Sequence, residues 1–324
     1  MNTPVVGTGG QKFANWANRR YVLTGLITAL SLVAFTDANA AARDRVKVQN
    51  GTVLTDRNTI LRGASMSVLN GPGNSAIPSY WRHMSVNLGL NAVRLGVKTG
   101  QIGRSISQQL PFIDNAVNSA AQNNMYVMIM SSKKAGSYDM NELRKFWSVV
   151  APRYKDKTNV LYEMANEPVS GGPHWGNVTQ FTDKVIADLT SIYNIMRKGA
   201  PNTHIVMLTP GNIYPDCSSY AAMIGKFKGV DWSKTSVGFH HYNGTKKIGE
   251  SGLQCLRLKY PLIMTETNYW NEPARAILKY DLAIYEKIGM SWFSLDGKGS
   301  FPYLEGEILP NLLRAGYSWT AENF

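Results

Sequence analysis

Eight short apolar runs recur along this chain, each separated from the next by a longer segment, several of them helix-like. The runs occupy residues 59–66 (TILRGASM), 91–97 (NAVRLGV), 125–131 (MYVMIMS), 159–165 (NVLYEMA), 204–209 (HIVMLT), 236–241 (SVGFHH), 261–266 (PLIMTE) and 289–295 (GMSWFSL). Segments such as 108–124, 140–154, 178–200 and 272–289 lie between them, several ending at Gly or Gly-Ala-Pro, which are helix stops. Strand and helix alternating eight times predict the α/β class and, within it, a (β/α)8 TIM barrel. A doubly wound open sheet fits the same alternation, but it would carry a Gly-rich phosphate loop after an early strand, and none occurs. Ahead of the first run, "VKVQNGTVLTD" alternates about Asn50-Gly51, a strong hairpin signal, so a short N-terminal β-hairpin is expected as a lid over the barrel floor.

The 324 residues suffice for one such domain, expected over 41–324. Residues 1–40 read as an export signal. Arg19-Arg20 supply the positive flank, 22–35 the apolar run, and Ala38-Asn39-Ala40 a small-residue cleavage site. The run is too short for a permanent anchor, so no membrane span is expected after signal removal, and the location is secreted or periplasmic. The paired arginines also suit a twin-arginine route. The formal charge is +12; losing Lys12, Arg19, Arg20 and Asp37 with the signal leaves +10. That charge favours acidic surfaces, yet no dense Lys/Arg run with interleaved aromatics appears, so nucleic acid is not an expected partner. An exported chain meets an oxidising compartment, where Cys217 and Cys255 are expected to pair, the alternative being two unpaired thiols.

Barrels of this kind gather functional groups at the C-terminal ends of their strands. Asn166-Glu167 directly follow the fourth run and Glu266 ends the seventh, across the mouth from each other. Two carboxyl groups so placed suit the ~5 to 5.5 Å spacing of a retaining glycosidase. Arg94 on run two, "FHHYNG" ending run six and Trp292 on run eight add a guanidinium, a His/Tyr cluster and an aromatic face, the mix that a sugar site needs. Asn-Glu-Pro occurs twice, but the second copy reads as a helix start: Asn271 as cap, Glu272 at the positive dipole end, Pro273 in the first turn.

With these residues in place the chain resembles glycoside hydrolase family 5, the cellulase family. The resemblance covers essentially the whole mature sequence. The family pattern is an Arg on strand two, Asn-Glu after strand four, His-x-Tyr after strand six, Glu after strand seven and Trp on strand eight. Arg94, Asn166-Glu167, His240-His241-Tyr242, Glu266 and Trp292 match it. What the resemblance implies is double displacement, with Glu167 as acid/base and Glu266 as nucleophile. Arg94 and Tyr242 would hold the nucleophile, Asn166 a sugar 2-hydroxyl, His240 the site's inner face and Trp292 a sugar platform. Trp175, Trp232 and Trp270 are candidates for further subsites. Many members end strand three in a sugar-binding His, where this chain has Met130, Ser131 and Ser132. The substrate expected is a β-linked polysaccharide, most readily through endo-β-1,4-glucanase action, with a mannanase, an exopolysaccharide hydrolase and a non-catalytic polysaccharide-binding barrel as alternatives. No metal-ligand spacing occurs and the reaction needs no cofactor; a monomer is expected.

Overall fold

The computed structural model describes residues 43–67, 75–98, 105–132, 138–169, 178–208, 217–241, 250–267, 282–295, 305–306, 309–314 and 316. Its first element is the hairpin β1 (Lys47–Gln49) and β2 (Thr52–Leu54), antiparallel with Val48 opposite Val53. Asn50 and Gly51 both take positive φ, 51° and 70°, the two left-handed residues of a type I′ turn. Gly51 is required twice over, because a Cβ there would lie 2.1 Å from the carbonyl oxygen of Arg257.

Eight parallel strands follow: β3 (Arg62–Ser67), β4 (Ala92–Lys98), β5 (Tyr126–Ser132), β6 (Val160–Glu163), β7 (His204–Leu208), β8 (Thr235–His241), β9 (Leu262–Thr267) and β10 (Ser291–Ser294). Each pairs with the next, and β10 pairs back onto β3 with Phe293 opposite Gly63, which closes the ring. The fold is therefore a (β/α)8 TIM barrel, and each of the eight apolar runs supplies one strand. The hairpin lies outside the ring, joined to it where Thr52 pairs with Leu262 at the start of β9.

The connecting helices are α1 (Pro78–Arg82), α2 (Ile106–Gln122), α3 (Met140–Arg153), α4 (Asp183–Gly199), α5 (Cys217–Ile224), α6 (Glu250–Arg257) and α7 (282–288), with α8 (Leu309–Arg314) after the last strand. Their starts are written in the sequence. Ser105 and Gln108 form a reciprocal capping box on α2, the Asp139 carboxylate accepts from the amides of Asn141 and Glu142 on α3, and Thr182 caps α4. The long helices α2, α3 and α4 each bury one stripe; on α4 this is Ile186, Leu189, Ile192, Tyr193 and Met196. A disulfide joins Cys217 at the start of α5 to Cys255 in α6. No helix among the described residues is long and apolar enough to cross a membrane.

Strand side chains alternate between these helices and the barrel interior. The lower interior is apolar: Val53 from the hairpin packs there with Leu61, Ala92, Tyr126, Met128, Leu161, Val206, Ile263 and Phe293. Gly63 makes room for that layer, since a Cβ on it would stand 2.3 Å from the Phe293 ring. The upper interior, toward the C-terminal ends of the strands, is polar and charged.

Candidate active site

Arg94 is two residues above Ala92 on β4, so its side chain also points inward, and it is 1% exposed. A guanidinium so enclosed needs acceptors for its fork of N–H groups. Nε donates to Glu163 Oε2 at 2.7 Å and Nη2 to Glu163 Oε1 at 2.6 Å, a bidentate pair. Nη1 donates to Glu266 Oε2. Nη2 also donates to Asn166 Oδ1 at 2.9 Å and faces His240 Nε2 at 3.3 Å. Burial would push the Arg94 pKa down; the charge of Glu163, followed by that of Glu266, outweighs it and holds the pKa above the ordinary arginine value.

Because a guanidinium only donates, the atoms turned toward it must accept. Asn166 thus presents its carbonyl to Arg94 and keeps its amide N–H groups for a ligand, and this side chain is half-exposed. The His240 ring meets the same Arg94 nitrogen through Nε2, and its Nδ1 lies 2.7 Å from Glu167 Oε1. Glu266 Oε2 lies 3.8 Å from Nε2. One imidazole therefore stands between the carboxylates of Glu167 and Glu266.

Two backbone irregularities aim these carboxylates. Glu167 takes φ 38°, a left-handed value that costs a non-glycine residue about 1–3 kcal/mol, where the chain turns out of the barrel just beyond β6. On β9, Ile263 points inward, so strict alternation would turn Glu266 outward to the helices. The β8–β9 register breaks between Phe239 and His240: Phe239 is opposite Met264, whereas His240 is opposite Glu266, leaving Thr265 as an extra residue. This bulge reverses the alternation and brings Glu266 inside, beside His240.

Arg94, Asn166, Glu167, His240 and Glu266 thus converge at the mouth. His241, the neighbour of His240, points away and meets Tyr285 Oη at 3.5 Å. Tyr242, Trp175, Trp270 and the second Asn-Glu-Pro lie outside the described residues. Two expected sugar contacts are corrected. Trp292 is between inward-facing Ser291 and Phe293, so it faces the helices: it is 0% exposed and donates from Nε1 to Glu286 Oε1 at 2.8 Å. Glu286 also takes a bidentate pair from Arg62, both contacts at 2.8 Å. A side chain so enclosed offers no face to a sugar. Trp232 lies in the loop that enters β8, at the opposite end of the strand from the mouth, and packs on Tyr260, ring centres 4.9 Å apart, half-buried against the helix-facing core. Glu163 was missed altogether. Its signal was available: it is the one charged residue in the apolar stretch 159–165, at an inward position two after Leu161.

A family model described as Cellulase (glycosyl hydrolase family 5) matches residues 55–286. The chain belongs to glycosyl hydrolase family 5. Endoglucanase A of Butyrivibrio fibrisolvens is 28% identical over 153 residues, 44% of this chain and 35% of that protein. Endoglucanase E-5 of Thermobifida fusca is 32% identical over 74 residues, 23% of this chain and 14% of that one. The chain therefore spans about a third or less of the length of these two relatives. Among solved structures, the catalytic domain of Thermobifida fusca endoglucanase Cel5A (E5) superposes with a TM-score of 0.61 at 18% identity, over 85% of this chain and 92% of that one. β-Glucanase SdGluc5_26A from Saccharophagus degradans gives 0.61 at 17% identity, over 78% and 84%. At such identities the superpositions speak for the barrel alone. The family is one of glycoside hydrolases.

Proposed function

We propose that this family 5 protein is an exported retaining endo-β-1,4-glucanase, in which Glu167 is the acid/base and Glu266 the nucleophile. The observation that carries the reading is the pair of carboxylates, Glu167 just beyond β6 and Glu266 on β9, that meet the two nitrogens of the His240 ring, with Arg94 bonded to Glu266. Glu266, held by the Arg94 guanidinium, attacks the anomeric carbon as Glu167 gives its proton to the departing glycosidic oxygen. The ester formed on Glu266 is then opened by water, whose proton Glu167 takes as base. The free amide of Asn166 donates to the sugar hydroxyl beside the reacting carbon, a contact that tightens as charge develops there. Tyr242 is assigned the second hold on Glu266. Residues 1–40 act as the cleaved export signal, and 41–324 as the catalytic domain.

The reading is tested by incubating the mature protein with cellulose, mixed-linkage β-glucan, mannan, xylan and an acidic exopolysaccharide, and measuring new reducing ends. Release from the β-glucans, with several product lengths appearing together, is expected. Release from mannan or the acidic polymer alone would overturn the sugar assignment. Binding without release from any polymer would overturn catalysis and favour a polysaccharide-binding barrel.

A further inference from the structure

Glu163 has no part in the two-carboxylate reaction, yet it is 0% exposed and spends both oxygens on Arg94. Burying a third carboxylate at the foot of such a site is costly unless it is fully paired, and the purchase here is geometric. The guanidinium has two edges suited to bidentate pairing with a carboxylate. Glu163 occupies the edge made by Nε and Nη2, and Asn166 takes a further N–H of Nη2. Glu266 is left with Nη1. From these contacts we infer that Glu163 is a positioning residue: it locks Arg94 so that the guanidinium holds Glu266 by one oxygen, leaving the other oxygen free to attack.

The inference rests on the glycosidase reading above and deepens it. The charged or titratable groups facing Glu266, among the described residues, are Arg94 from β4 and His240 from β8, with Glu163 acting through the first and Glu167 through the second. Without the Glu163 charge, Arg94 has one anionic partner in place of two. It then rotates to grip Glu266 with two N–H groups, and both nucleophile oxygens become engaged.

The test compares the parent with Glu163→Gln and Glu163→Asp on a dinitrophenyl β-cellobioside, whose leaving group needs no proton, so that kcat/KM reports the attack of Glu266. Cellobiose inhibition reports the sugar site independently. Glu163→Gln is expected to lose kcat/KM by about 100-fold, the usual penalty for a reacting group displaced by about an ångström, with the cellobiose inhibition constant unchanged. Glu163→Asp keeps the charge on a shorter arm and is expected to recover about 10-fold of that loss. Should Glu163→Gln fail to fold, Glu163→Asp alone decides: about a 10-fold loss of kcat/KM at unchanged inhibition is expected, and a parent value overturns the inference. Parent-level kcat/KM in Glu163→Gln, or a loss matched by weaker cellobiose inhibition, overturns it too. A parent that cleaves neither the aryl cellobioside nor any β-glucan overturns the glycosidase reading itself.

Discussion

Glu167 and Glu266 meet the same imidazole but differ in what else holds them. Glu266 is bonded directly to the Arg94 guanidinium, whereas Glu167 sits on a left-handed backbone turn and meets Nδ1 of the ring. The roles proposed for them, nucleophile and proton carrier, call for such a difference. Replacing Glu167 by Ala is expected to slow cellulose hydrolysis by about 100- to 10,000-fold, the worth of a positioned general acid. With an activated aryl cellobioside, added azide should restore turnover and release a glycosyl azide, since the small anion attacks the ester without a base. No azide product from the Glu167→Ala variant would contradict its role. Trp292→Phe separates core from platform: loss of the Nε1 bond to buried Glu286 should cost about 1–3 kcal/mol of stability, read from denaturant unfolding, while KM for β-glucan stays at the parent value. A raised KM in a variant of parent stability would restore Trp292 to the sugar site.

At the scale of elements, local chemistry in the sequence foretells most of what is seen. The hairpin is specified by Asn50-Gly51 and the starts of α2, α3 and α4 by Ser105, Asp139 and Thr182. Asp139→Ala should therefore cost about 1 kcal/mol of stability and no activity, whereas Gly51→Val, strained in φ and driven into the Arg257 carbonyl, should exceed that cost in the same unfolding measurement. Equal costs would mean that the turn tolerates a side chain. The eight strands were legible because each is a buried apolar run, and the site was legible as far as it follows from strand ends. What escaped was direction. Trp292 was placed by its strand rather than by its alternation with Ser291 and Phe293, and Glu163 was passed over for the same reason. Glu266 was placed inside although alternation from Ile263 turns it outward; the bulge at Thr265 that brings it back is a matter of pairing between β8 and β9, which no local pattern announces.

Over the whole molecule, stability depends on how charge and covalent closure are distributed. The Cys217–Cys255 bridge closes a loop with a sequence separation of 38, so the double Cys→Ser variant should lose about 3–4 kcal/mol in denaturant unfolding and keep its turnover. His204, wholly enclosed in the barrel and bonded to Ser236 Oγ at 3.0 Å, is held neutral: burial first, and the Arg197 charge second, lower its pKa from 6.5 to about 3. The unfolded chain then binds the extra proton between those values, so the contribution of His204 to stability is complete above about pH 6.5 and is lost progressively toward pH 3, at up to about 1.4 kcal/mol per pH unit. His204→Gln should flatten the pH dependence of the unfolding midpoint between those limits; an unchanged slope would place the acid sensitivity elsewhere.

The division of labour between the two carboxylates is tested most directly by trapping the covalent intermediate. A dinitrophenyl β-cellobioside carrying fluorine in place of the hydroxyl beside the anomeric carbon forms the glycosyl-enzyme readily and releases it slowly. After inactivation, digestion and mass spectrometry of the labelled peptide should place a single sugar on Glu266, in the segment LIMTET, and Glu266→Ala should take up none. A label on Glu167, Glu163 or Glu272, or cleavage of β-glucan by a folded Glu266→Ala at the parent rate, would contradict the assignment.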